Sequence, residues 1–183
     1  MEIKQIHDKF KIRIAGIAVG NHRFSIDCDK TFFEISELSM LHDGVVHVRV
    51  EMEKLDKMLN FAFKFEGKVT ADCDRCLAPV ALKIDFDTNL VVKLIAQPNE
   101  KECKANEDDD IWLVDENSYE LDFFHYIYEA LLLALPQKIV HLDDKNGNST
   151  CNPEMLAKLA QCSPAHHQEI DPRWDALKKL NLN

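Results

Sequence analysis

Leu59-Asn60-Phe61-Ala62-Phe63-Lys64-Phe65-Glu66-Gly67-Lys68-Val69 and, beyond Cys73-Asp74-Arg75-Cys76, Val80-Ala81-Leu82-Lys83-Ile84-Asp85-Phe86-Asp87 alternate apolar with polar residues. The second run continues through Leu90, Val92 and Leu94, opposed by Lys93. Successive side chains of a strand point to opposite faces, so each run predicts a strand with one dry and one wet face. Pro79 has no N–H to give a ladder and belongs at the first residue of the returning strand. The stretch predicts a long antiparallel hairpin, with Cys73 and Cys76 on an exposed, geometrically fixed turn at its corner.

Upstream, Phe10, Ile12 and Ile14 alternate with Lys9, Lys11 and Arg13, a first strand. Gly20-Asn21 is a turn signal, and His22–Cys28, with Phe24 and Ile26 on one parity, is its expected hairpin partner. Asp29 is placed to cap a short helix over Thr31–Leu38, and Asp43-Gly44 signals another turn. Val46, Val48, Val50 and Met52 then define a third strand. Alternating strands without long intervening helices predict an α+β fold whose sheet is mostly antiparallel, or an open barrel.

Downstream, residues 97–110 are acidic and aperiodic, a flexible excursion, and Ile111–Val114 is a short edge strand. Leu121, Phe124, Ile127, Tyr128, Leu131, Leu132 and Leu135 recur at helical spacing. They predict one long buried helix that begins at Ser118, roofs the sheet and stops at Pro136. Glu120 and Asp122 would sit at its positive end. Short helices follow, one from Pro153 and one opened by Asp171-Pro172, the latter with an apolar stripe of Trp174, Leu177 and Leu180. The expected organisation is one domain over 1–163, with residues 164–183 as a linker and a short amphipathic helix.

The chain has 183 residues and a net charge of −10. The charge is local: residues 96–122 hold ten acids opposed only by Lys101 and Lys104. The acidity belongs to one loop, which would repel a polyanion and attract a basic protein. No apolar run reaches the length of a membrane span, and Met1-Glu2-Ile3-Lys4-Gln5 has no export-signal character. A cytoplasmic protein with reduced thiols is the expectation, since only two of six cysteines are closely spaced. Gly-rich phosphate loops, G-x-S-x-G and H-E-x-x-H do not occur, so no enzyme signature is found.

The Cys pair has three readings. Two thiolates on a tight turn supply half of a tetrahedral zinc site. A redox pair belongs at a helix N-terminus inside a βαβ unit, whereas hairpin strands flank this one. The third reading is two unconnected surface thiols. His141, Cys151, Cys162, His166 and His167 are the candidates for the other ligands. The Lys9, Lys11, Arg13 row reads either as a phosphate-contacting strip or, preferably, as the solvated face of an edge strand.

Three motifs in order, Cys73-Asp74-Arg75-Cys76-Leu77-Ala78-Pro79-Val80, Glu129-Ala130-Leu131-Leu132-Leu133-Ala134-Leu135-Pro136 and Asp171-Pro172-Arg173-Trp174-Asp175-Ala176-Leu177-Lys178-Lys179-Leu180, resemble the YceD family, the large ribosomal RNA subunit accumulation proteins. The resemblance covers residues from about 59 to the C-terminus and leaves the first 58 unmatched. It implies a cytoplasmic ribosome-assembly role without a catalytic reaction. It also implies a later Cys/His group beyond Pro136 acting with the first pair, and His141 and Cys151 fit that position. Many relatives carry several closely spaced cysteines there; this chain has one and a longer loop. The candidate zinc ligands are therefore Cys73, Cys76, His141 and Cys151, with Cys162 and His166 as alternates. Arg75, Arg173, Trp174, Lys178 and Lys179 are the candidate binding residues. The expected partner is precursor 23S ribosomal RNA, a basic ribosomal protein, or both. A thiol redox protein or nuclease using the Cys73/Cys76 corner, and a zinc-stapled protein-interaction scaffold, are the alternatives.

Overall fold

The structure is a computed structural model that describes residues 6–34, 40–96 and 111–162. Its centre is the hairpin expected from the alternation. Strands β3 (Leu41–Lys54), β4 (Met58–Asp72) and β5 (Pro79–Ile95) run antiparallel, with β2 (Gly20–Cys28) on one side and β6 (Ile111–Asp115) on the other. The order β2-β3-β4-β5-β6 makes a five-stranded sheet among the described residues, and only β6 lies parallel to its neighbour. Pro79 opens β5 opposite Asp72, so the corner is the loop from Cys73 to Ala78.

The dry face is the predicted parity. Val46, Val48, Val50, Met52, Leu59, Phe61, Phe63, Phe65, Val69, Leu90 and Val92 are all buried. Phe65 stands opposite Phe86 in the ladder, and their rings stack with centroids 4.4 Å apart. Such a directly opposed aromatic pair pins the register, because a slip of one residue would turn the dry face to water.

Three expectations are corrected. The first strand, β1 (Lys11–Arg13), pairs with β7 (Glu120–Asp122) in a separate two-stranded sheet and is not the hairpin partner of β2. The chain turns at Gly16, which has φ +75°, and the N–H groups of Ile14 and Ala15 both donate to the Tyr119 carbonyl instead. Asp43-Gly44 is not a turn but an irregular start of β3, where the register shifts between Leu41 and Asp43. Third, the roofing helix is short and one-faced. It spans Phe124–Leu133 (α2), not a long segment from Ser118, because Glu120 and Asp122 are consumed by β7. The Asp122 carboxylate still serves the helix by accepting the Phe124 N–H at 2.8 Å. Phe124, Ile127 and Leu131 are buried, whereas Leu133 is 87% exposed, so the helix is not buried all round. Its bed is the dry face: Phe123, just before it, lies 4.9 Å from Phe61, and Tyr126 lies 4.9 Å from Phe63.

Helix α1 covers Lys30–Glu34, opened by the Asp29 carboxylate on the Thr31 N–H; the remainder of the predicted helix, residues 35–38, lies outside the described residues. The acidic excursion 97–110 and the helix expected after Asp171 also lie outside them. Helix α3 runs Pro153–Cys162, with Pro153 at its first position as expected. Among the described residues no helix is long and apolar enough to cross a membrane.

Candidate metal centre

Cys73 sits where β4 ends. The dry parity that runs through Phe61, Phe63, Phe65, Val69 and Ala71 has Cys73 as its next member, so its side chain points inward and is fully buried. Cys76 is 4% exposed. The exposed pair expected from the turn is thus an inward-facing pair, and for Cys73 the parity of β4 is the sequence signal that points inward. The turn closes with the Leu77 N–H donating to the Cys73 carbonyl at 2.9 Å and the Cys73 N–H to the Ala78 carbonyl at 2.9 Å. Leu77 adopts φ 57° to allow this, a left-handed backbone that costs a side-chain-bearing residue about 1–2 kcal/mol.

A second loop, from the end of α2 to the start of α3, closes over the corner. It delivers His141, half-buried, and Cys151, 4% exposed and just ahead of α3. The ligand atoms of Cys73, Cys76, His141 and Cys151 all lie within 4.8 Å of one another. Cys73 Sγ is 3.8 Å from Cys151 Sγ, and His141 Nδ1 is 3.5 Å from Cys76 Sγ and 3.8 Å from Cys151 Sγ. Around a tetrahedral ion bonded to thiolates at about 2.3 Å and imidazole at about 2.0 Å, donors stand about 3.8 Å apart (S to S) and about 3.5 Å (S to N). The closest separations match that figure, so the Cys3His group can hold a metal ion.

Electrostatics favour the ligating form. Burial pushes the Cys73 thiol up, but the N–H groups of Arg75, Cys76 and His141, together with the His141 ring, outweigh it and bring the thiol from 9.0 down to about 6. The Arg75 N–H reaches its sulfur at 3.4 Å. A thiolate is the species that binds metal, so the corner is prepared for a cation by its own backbone.

The remaining candidates fall elsewhere. Cys162 lies exposed at the end of α3, apart from the cluster. His166, His167, Arg173, Trp174, Lys178 and Lys179 lie outside the described residues. Arg75 is engaged within the fold: Nη1 donates to Ser149 Oγ at 3.3 Å and stands 3.9 Å from Asp143 Oδ1. Lys9 is 3.6 Å from Asp29, Lys11 is 2.8 Å from Asp8 and 3.1 Å from Glu120, and the Arg13 guanidinium covers the Tyr119 ring at 4.6 Å. Lys9 lies in the 3-10 turn Asp8–Phe10 ahead of β1, so only Lys11 and Arg13 of the row belong to the expected strand. Asp74 and Ser149, which hold the two loops together, were not singled out from the sequence; their partners are distant in the chain.

Residues 61–181 match the family model described as Large ribosomal RNA subunit accumulation protein YceD. Among curated proteins, an uncharacterised protein of Mycobacterium tuberculosis and one of Mycobacterium bovis are each 28% identical over 116 residues, covering 60% of this chain and 49% of the relative. The chain therefore spans about half the length of the curated relatives it matches. No solved structure matches it. The matched segment takes in most of β4, the Cys-Asp-Arg-Cys corner, α2, the loop bearing His141 and Cys151, and the Trp174 motif, which is well over half of the chain and every donor of the cluster: the chain belongs to the YceD family.

Proposed function

We propose that this protein is a non-enzymatic, cytoplasmic ribosome-biogenesis factor that supports accumulation of large-subunit (23S) ribosomal RNA. The observation that carries the reading is the family match over residues 61–181, which takes its description from that role and contains all four members of the Cys3His group. The ion is zinc: three thiolates and one imidazole, enough to fill all four positions of a tetrahedral site, are the donor set of a structural zinc site. Zinc would hold the loop of His141 and Cys151 against the hairpin corner. The recognition surface so formed binds a basic ribosomal protein in preference to naked RNA, because the acids of residues 96–122 repel a polyanion and Lys11 of β1 is paired with Asp8 and Glu120. Burial of the Cys73 and Cys76 sulfurs counts against a thiol redox protein, which needs an accessible thiolate.

Depletion of the protein lowers 23S relative to 16S ribosomal RNA, and re-expression restores the ratio. An unchanged ratio ends the reading. Affinity for precursor RNA and for basic ribosomal proteins, measured across a salt series, identifies the partner. Displacement of counterions from RNA gives log K a slope of about −0.7 to −0.9 per phosphate contacted.

A further inference from the structure

We propose that the two residues between the cysteines, Asp74 and Arg75, are positioning residues, each holding in place one of the two ligands that arrive from the far loop. The inference rests on the metal reading above and assigns to the spacer of Cys-Asp-Arg-Cys a role that the ligands alone do not explain.

Asp74 grips Ile139 at both of its backbone polar groups. Its N–H donates to the Ile139 carbonyl at 2.7 Å, and its carboxylate accepts the Ile139 N–H at 2.6 Å. A short contact to an ionised acceptor is among the stronger hydrogen bonds available to a protein. With both groups taken and its side chain buried, Ile139 has one register against the corner. His141 follows two residues later and presents Nδ1 at 3.5 Å from Cys76 Sγ. A one-residue slip along extended chain moves a side chain about 3.3 Å, more than a metal–nitrogen bond of about 2.0 Å. The Asp74 clamp therefore decides whether the imidazole is in range.

Arg75 acts on the other ligand. Its Nη1 donates to Ser149 Oγ at 3.3 Å, and the same Ser149 oxygen accepts the Cys151 N–H at 3.3 Å. Asp143 bridges to Ser149 across the loop, and Arg75 lies 3.9 Å from its carboxylate, so the guanidinium reaches both arms of that loop. A half-exposed ion pair at that distance contributes little by Coulomb attraction. The strap works by fixing Ser149, and through it the backbone from which Cys151 Sγ reaches Cys73 Sγ at 3.8 Å. One ligand pair on the hairpin thus carries, in its own spacer, the jig for the other pair.

The experiment uses the full chain, stripped of metal, titrated with Co2+ and then Zn2+ against a competing chelator. Wild type takes up one equivalent of Co2+ with a thiolate charge-transfer band. Asp74→Ala and Arg75→Ala each weaken binding 10–100-fold while the stoichiometry holds, the usual loss when a group supporting a ligand is removed. Asp74→Asn, which keeps an acceptor for the Ile139 N–H, recovers most of the affinity. Ser149→Ala reproduces Arg75→Ala should that variant fold poorly. In a double-mutant cycle, Asp74→Ala adds little once His141 is Ala, because the clamp acts through that imidazole. Asp85→Asn, a like charge change on the wet face of β5, leaves the affinity unchanged. Equal affinities for wild type, Asp74→Ala and Ser149→Ala overturn the positioning role while the metal reading stands. A wild-type chain that takes up no Co2+ or Zn2+ overturns both.

Discussion

Gly67 sits in the middle of β4, a place where glycine weakens a strand unless something requires it. What requires it is β3: a Cβ at Gly67 would lie 2.2 Å from the Val45 carbonyl oxygen and 2.7 Å from Val46 Cα. Gly44, on the facing strand, is hemmed in the same way by the Lys68 carbonyl at 2.7 Å. These obstacles are backbone and cannot rotate aside. Gly67→Ala is expected to destabilise the fold by about 2 kcal/mol or more, within the overpacking range, read as a lowered urea midpoint. Cys28 offers a second test. Burial, with the nearby Asp27 and Asp29 carboxylates, pushes its thiol from 9.0 up to about 12. The folded chain therefore keeps a proton that the unfolded chain releases, and stability is lost as pH rises from about 9 toward 12. The loss approaches about 1.4 kcal/mol per pH unit for this group. Urea unfolding across that window has a shallower pH dependence in Cys28→Ala. In the same pH range exposed Cys162 alkylates in the folded protein while Cys28 does not.

Among elements, α2 shows how one apolar sequence divides between core and surface. Leu131 is fully buried and Leu133 is 87% exposed, two residues apart on a ten-residue helix. Leu131→Ala is expected to cost about 2–5 kcal/mol, whereas Leu133→Ala stays within about 0.5 kcal/mol of wild type. Equal losses in chemical denaturation would restore the helix buried on every side that composition suggested. The strands were legible in the sequence because period two is a strong, local signal, and it held across β3, β4 and β5 down to Pro79 at the first position. Partners were less legible. Lys11, Ile12 and Arg13 say strand, but nothing local says that Glu120-Leu121-Asp122 lies beside them. That pairing is made by contacts more than a hundred residues apart, such as Phe10 with Phe124 at 5.3 Å. A separation of 65 residues likewise hides Asp74 and Ile139 from each other. The four donors were legible as residue types, and the burial of Cys73 was written in the parity of β4. A Cys-x-x-Cys corner suggests exposed thiols by its turn chemistry, whereas both are buried.

For the molecule as a whole, the issue is how much of the fold would depend on a metal held by the Cys3His group. The sheet has its own core, with aromatic pairs such as Phe65 and Phe86, and α2 packs on it without reference to the corner. The loop from residue 137 to residue 152 has little of this. Its buried members are Ile139 and Cys151, and it is tied to the hairpin by Asp74, Arg75 and the Cys3His group. A ligand that binds only the folded state at a thousand times its dissociation constant contributes about 4 kcal/mol, and here that sum is concentrated in one loop. Removal of a metal held by that group is therefore expected to act locally. Amide hydrogen exchange in excess chelator should lose protection in residues 137–152 and in the Cys73–Ala78 corner, while the central ladder of β4 and β5 keeps it. Cys73→Ser should reproduce that pattern without chelator. Uniform loss of protection across β3, β4 and β5 would instead make the metal a condition of folding. In that case the corner would belong to the core of the domain and could not serve as a closed loop mounted on an independently stable sheet.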